Sequence, residues 1–162
     1  MSVVVYDGKS VVADKQGTNI NVRSLSSKLA RIQQSEIVDD HVVQVPYILG
    51  WVGTQSSGLL MQQWWLAGAN PDAFPICQHD NERWSRLIIV NCLTKNIVMY
   101  EQLPVAIPVE DPYMAWGSGS DFALGALAMG ATARQAAEIA CQFCIYCGYG
   151  VQEYLIDGSD VG

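Results

Sequence analysis

Ser2-Val3-Val4-Val5-Tyr6-Asp7-Gly8-Lys9-Ser10-Val11-Val12-Ala13-Asp14 follows Met1 at the head of the chain. Val3, Val4, Val5 and Tyr6 run into Asp7-Gly8, a strong two-residue turn signal, and Val11, Val12 and Ala13 return. The pattern predicts a hairpin. Nearly every strand position is apolar or β-branched, rather than every second one, so both faces of the hairpin need covering. The fold is therefore expected to be layered, with this hairpin inside it.

Working outward, residues 18–32 form a second strand region, interrupted by Asn19, Asn21 and the serine-rich 24–27, and residues 41–51 form another strand with Gly50 near its end. Over 54–67 the period turns helical, with Leu59, Leu60, Met61, Trp64, Trp65 and Leu66 at helical spacing and Gly68 as the stop. Residues 86–92 and 96–101 make a hairpin across Leu93-Thr94-Lys95, and a third strand is expected around 105–107. Pro108 and Pro112 flank a loop, and Tyr113-Met114-Ala115-Trp116 leads into Gly117-Ser118-Gly119-Ser120. A helix over 121–129 ends at Gly130. A second, over 133–147, opens on the capping-box pair Thr132 and Gln135 and ends at Gly148. Residues 151–156 close the chain as a strand. This order fits an α+β fold, a four-layer αββα sandwich in which helices flank two stacked antiparallel sheets. No repeat or linker divides it, so 1–162 reads as one domain.

Composition narrows the function. The chain has 162 residues, 50% of them hydrophobic, which suits one sizeable core. The formal net charge is −7 and no Lys/Arg cluster stands out, which argues against a nucleic-acid partner. Residues 2–6 lack the basic flank and cleavage site of an export signal, and no apolar run reaches the roughly 18 residues of a membrane span. A soluble, intracellular protein is expected, with no membrane partner. Five cysteines without an export signal favour free thiols. Cys141, Cys144 and Cys147 recur every third residue. On a helix they would share one broad face over a rise of about 9 Å, poor geometry for one metal ion. They read as small buried residues; neither a metal nor an organic cofactor is expected.

Ser2 carries the chemistry. Its small side chain normally permits removal of Met1, which would put a hydroxyl and a free α-amine on one residue. That amine has a reference pKa of roughly 7.7–8.0 and is a suitable base for the hydroxyl proton.

Asp111-Pro112-Tyr113-Met114-Ala115-Trp116-Gly117-Ser118-Gly119-Ser120-Asp121-Phe122-Ala123-Leu124-Gly125-Ala126-Leu127-Ala128-Met129-Gly130-Ala131 resembles the segment of proteasome β-subunits and HslV peptidases in which a Gly-Ser-Gly turn starts a small-residue helix. Ala13-Asp14-Lys15-Gln16-Gly17-Thr18 is similar to the Ala-Asp-Lys-Arg-Ala-Thr pattern of the same N-terminal nucleophile hydrolases. The resemblance spans almost the whole chain and is strongest to the short phage and prophage versions. It implies that Ser2 stands at the nucleophile, Asp14 and Lys28 at the charged pair beside it, Gly50 at the oxyanion amide and Ser118 at the support of the α-amine. It also implies backbone bonds from Thr18 to an extended peptide. A ring-shaped homo-oligomer in a bacterial or phage-infected cytoplasm follows from it too, taking unfolded polypeptide from an ATP-driven unfoldase.

The chain departs from the pattern in places. Serine replaces the usual threonine nucleophile and lacks the methyl that restricts its rotamer. Cys144 and Cys147 stand where an acid and a hydroxyl are usual, and thiols are weak donors and acceptors. Thr54 replaces a common aspartate, and Trp51 is bulky for a position usually small. Two readings follow: a peptidase acting through Ser2, or a catalytically silent structural or assembly homologue of the same fold.

Overall fold

The computed structural model describes residues 2–19 and 21–160. Strands β1 (Val4–Tyr6) and β2 (Ser10–Asp14) form the opening hairpin, with Tyr6 opposite Val11. Its turn centres on Gly8-Lys9, one residue later than Asp7-Gly8. Gly8 takes a φ of +89°, a conformation suited to glycine. Asp7 instead braces the turn: its Oδ1 accepts from the N–H of Lys9 (2.9 Å) and of Ser10 (2.8 Å).

Two further hairpins follow. Strands β3 (Gln16–Asn19) and β4 (Val22–Leu25) make a two-stranded ribbon. Strands β5 (Leu29–Val38) and β6 (His41–Gly53) pair along their length to Val38 opposite His41. Asp39 and Asp40, both at positive φ, supply the two-residue turn between them.

Strands β7 (Ser85–Asn91), β8 (Ile97–Tyr100) and β9 (Ile107–Val109) complete an antiparallel five-stranded sheet ordered β5-β6-β7-β8-β9. The strand expected around 105–107 is shifted to β9, which contains Pro108 opposite Val98. Proline is tolerated there because β9 is an edge strand and its missing N–H need not join a ladder.

A four-stranded antiparallel sheet, ordered β10-β1-β2-β11, places the opening hairpin at its centre. Its outer members are β10 (Met114–Trp116) and β11 (Val151–Leu155). The sequence marks these residues only as a lead-in to the Gly117-Ser118-Gly119-Ser120 turn; they pair with β1, Val4 facing Trp116 across the ladder.

Helix α1 (Gln55–Leu66) packs on β6 and β7, whereas α2 (Ser120–Ala128) and α3 (Ala133–Phe143) pack on β1, β2 and β10. Both reciprocal bonds of the Thr132/Gln135 capping box form at the start of α3. The helix stops at Phe143 rather than at 147. Cys144 is already extended, and a turn closed by the Cys147 N–H on the Cys144 carbonyl (3.2 Å) redirects the chain.

Three apolar clusters follow one another. Val3, Val5 and Val12 face Ala136, Ala137 and Ala140 of α3. Val4, Tyr6, Val11 and Ala13 face Ile48, Val52, Ile88 and Val90 of the other sheet. Leu49, Leu87 and Ile89, on that sheet's far side, meet Met61 and Trp64 of α1. Successive residues of β1 and β2 thus enter different clusters, which is why neither strand alternates with polar residues. Alanines let α3 sit close on the hairpin. Among the described residues no helix is long and apolar enough to cross a membrane.

Candidate functional site

Asp14 ends β2 with its side chain buried and both oxygens occupied. Oδ1 accepts from the Val3 N–H (3.0 Å) and from Lys28 Nζ (2.7 Å); Oδ2 accepts from the N–H groups of Gln16 (3.1 Å) and Gly148 (3.2 Å). Lys28, just before β5, also donates to the Gln16 carbonyl (2.6 Å). Lys28 is 4% exposed and Asp14 is fully buried. Such a pair survives desolvation only when further hydrogen bonds complete it, and here three backbone donors and one backbone acceptor do so.

Ser2 lies at the head of β1, wrapped by the turn before α2. Its N–H donates to Ser118 Oγ (3.0 Å), and its carbonyl accepts from the Gly119 N–H (3.2 Å). Gly117 has φ +99°, and a Cβ there would lie 2.1 Å from the Ser2 carbonyl oxygen, so only glycine fits.

Ser2 and Lys28 share the wall of a cleft of about 470 Å³, with Thr18, Trp51, Gly53 and Thr54 among its other walls. Asp14 lies behind Lys28. Ser118 lines a smaller adjoining recess with Gly117 and Trp84. Four of the five sequence-derived residues, Ser2, Asp14, Lys28 and Ser118, are thus in one hydrogen-bonded neighbourhood.

Gly50 differs. It stands opposite Leu29 in the β5–β6 ladder, and a Cβ there would meet Leu29 Cδ2 at 3.0 Å and Val4 Cγ1 at 3.4 Å. It faces the intersheet core and is not among the residues lining the cleft, whereas the next residue, Trp51, lines it and donates its N–H to the Lys28 carbonyl (3.2 Å).

The thiols do not share one helix face. Cys141 is in α3, Cys144 caps it and Cys147 follows the turn. Cys144 and Cys147 are buried in the cluster between α3 and the hairpin. Burial, with the Asp14 charge added, pushes the Cys141 thiol up to about 11. Burial, Asp14 and Cys144 push Cys147 up as well. Both therefore remain protonated at neutral pH and make poor nucleophiles. Among the described residues no group of three or more His, Cys, Asp or Glu is placed to hold a metal ion.

Sequence reasoning missed Gln16, Glu82 and Trp84. The Gln16 carbonyl receives Lys28, and its buried amide donates to Thr18 Oγ1 (3.1 Å) and to the Ile145 carbonyl (3.2 Å). Glu82 and Trp84 reach the cleft from the loop before β7. A backbone acceptor leaves no residue signature, and loop residues carry no period.

No family model and no curated protein sequence matches the chain. Solved structures do. Eukaryotic HslV from Trypanosoma brucei superposes with a TM-score of 0.62 at 20% identity, over 95% of this chain and 97% of that one. Thiobacillus denitrificans BPH gives a TM-score of 0.66 at 17% identity, over 98% and 99% of the two chains. Its complex with epoxomicin gives 0.66 at 16% identity, over 98% and 100%. The chain has the α+β fold of HslV and of Thiobacillus denitrificans BPH.

Proposed function

We propose that this chain is a proteasome-like peptidase, an N-terminal nucleophile hydrolase of the short phage or prophage type, in which Ser2 is freed by removal of Met1. One observation carries the reading: Ser2 shares a cleft wall with Lys28, whose ammonium is locked onto buried Asp14 at 2.7 Å. A fixed positive charge near a hydroxyl lowers the cost of the developing alkoxide and keeps a neighbouring amine neutral and basic. In this reading the Ser2 α-amine takes the hydroxyl proton while Ser118 Oγ orients it. Oγ attacks the peptide carbonyl, and the protonated α-amine hands that proton to the amide nitrogen as the C–N bond breaks and the amine leaves. Water, deprotonated by the same amine, then hydrolyses the acyl-enzyme and restores the Ser2 hydroxyl. Gly50 is proposed as the oxyanion amide, acting through its backbone alone.

The three successive apolar clusters support a four-layer αββα sandwich, with 1–162 as one domain. By likeness to HslV, the working form is a homo-oligomeric ring in the cytoplasm of a bacterium or phage-infected host. An unfoldase feeds it unfolded polypeptide; metal, cofactor, nucleic acid and membrane have no part in the reading.

Intact-mass measurement tests it. Protein produced at native levels should lack Met1 and take up one equivalent of a serine-reactive electrophile, and Ser2→Ala should abolish both uptake and peptide turnover. Retained Met1 would overturn the peptidase reading. The second reading, a silent assembly protein, is favoured by the buried thiols Cys144 and Cys147 standing where an acid and a hydroxyl are usual. It expects no uptake even from a processed chain.

A further inference from the structure

The cleft beside Ser2 is unusual in its walls. Two tryptophans, Trp51 and Trp84, line it, and most of the rest is hydroxyl or amide, including Ser24, Ser26 and Gln55. Among the described residues no aliphatic side chain lines it. This is not the lining of a pocket for leucine or valine, which would gain by burying apolar surface against apolar walls.

Its charge is equally specific. Lys28 is already paired with Asp14 at 2.7 Å. Glu82 is the cleft's only lining carboxylate among the described residues, and its side chain is in no hydrogen bond or ion pair there; its backbone N–H alone is engaged, by Asp80 Oδ1 (2.9 Å). The uncompensated charge of the cleft is therefore negative, in a chain of net charge −7. Trp84 already serves as a platform for a cation: the Arg86 guanidinium lies 5.6 Å from its ring centroid, held by Glu101 at 2.7 Å. Trp51 is fixed against Gly58, where a Cβ would lie 2.1 Å from its ring.

We propose that this cleft is a subsite for a cationic side chain of a peptide, arginine above lysine, its charge held by Glu82 and its flat guanidinium stacked on a tryptophan wall. An aromatic face with a free carboxylate beside it matches a planar, weakly hydrated cation better than it matches an ammonium or an apolar chain. The inference rests on the reading that peptides are the ligand, but not on their hydrolysis.

Binding to Ser2→Ala protein separates the two. Capped peptides differing only in arginine or citrulline, its neutral near-isostere, are titrated while tryptophan fluorescence is followed. The arginine peptide should bind about fivefold more tightly, the scale of a well-placed exposed ion pair. The ratio should shrink with added salt. Glu82→Gln should bring it near one, and Glu82→Lys should turn the preference toward a glutamate peptide. Circular dichroism confirms that these loop variants fold. Equal affinities, absence of binding, or a ratio that survives Glu82→Gln overturns the subsite. Arginine-selective binding with no cleavage by processed wild-type protein leaves the subsite standing and overturns the peptidase.

Discussion

Asp14 joins four separate stretches of chain through two oxygens, three by backbone N–H groups and one by the Lys28 ammonium: the head of β1, the start of β3, the segment after α3 and the residue before β5. Removing its charge while leaving Lys28 in place strands an ammonium out of water. Asp14→Asn should therefore cost about 3 kcal/mol or more in urea unfolding. Lys28→Met in the same background should recover part of that loss, a coupling that a double-mutant cycle measures. Asp14, Lys28 and Ser118 were legible in the sequence because each carries a distinctive side chain at a recognisable place in chain order. Gly50 was legible only as a glycine; that its missing side chain faces Leu29 and Val4 depends on strand register, which is read from pairing.

Single elements show where local rules yield to packing. Gly58 lies inside α1, where alanine is ordinarily better by about 1 kcal/mol. A Cβ there would strike the Trp51 ring at 2.1 Å. Gly58→Ala should thus destabilise the fold by about 1–3 kcal/mol, read in thermal or urea unfolding, and should shift tryptophan emission as Trp51 moves.

Asp7 ties two elements, since its Oδ2 also accepts from the N–H of Ala133 at the start of α3 (2.8 Å). Burial opposes its ionisation, but the N–H groups of Ala133, Lys9 and Ser10 outweigh burial and hold its carboxyl below the ordinary value. A lowered folded pKa contributes stability above the unfolded pKa, about 3.9, and loses it as pH falls through the folded one. Unfolding free energy measured from pH 6 down to pH 2 should therefore fall less steeply in Asp7→Asn than in wild type.

The sequence could not place the end of α3, because Cys144 and Cys147 continue its apolar spacing. Cys144 instead turns extended, and the turn that follows brings the Gly148 N–H to Asp14. Likewise the three residues of β10 are too few to show a period, and β1 alone makes them a strand.

At the scale of the molecule, layering was the most legible property, since the unbroken apolar runs of β1 and β2 require cover on both sides. Those strands contribute to two of the three apolar clusters, and β6 and β7 to two as well. No cluster can be lost without exposing its neighbour. Unfolding should be one transition, with tryptophan fluorescence and far-ultraviolet circular dichroism coinciding in midpoint and slope. Separate midpoints would mean that the two sheets unfold independently. The ribbon of β3 and β4 was legible only as an interrupted strand region over 18–32, and the loop carrying Glu82 not at all, for the opposite reason: neither belongs to an apolar layer.

The contacts around Ser2 also order events in time. Ser2 is 116 residues from Ser118, and Asp14 is 134 from Gly148. During synthesis the first members leave the ribosome long before their partners exist. The neighbourhood of Ser2 therefore cannot be completed before Gly148 has been made, and any hydrolytic power it holds stays dormant until then. Under the proposed peptidase reading, this order of events spares unfinished copies.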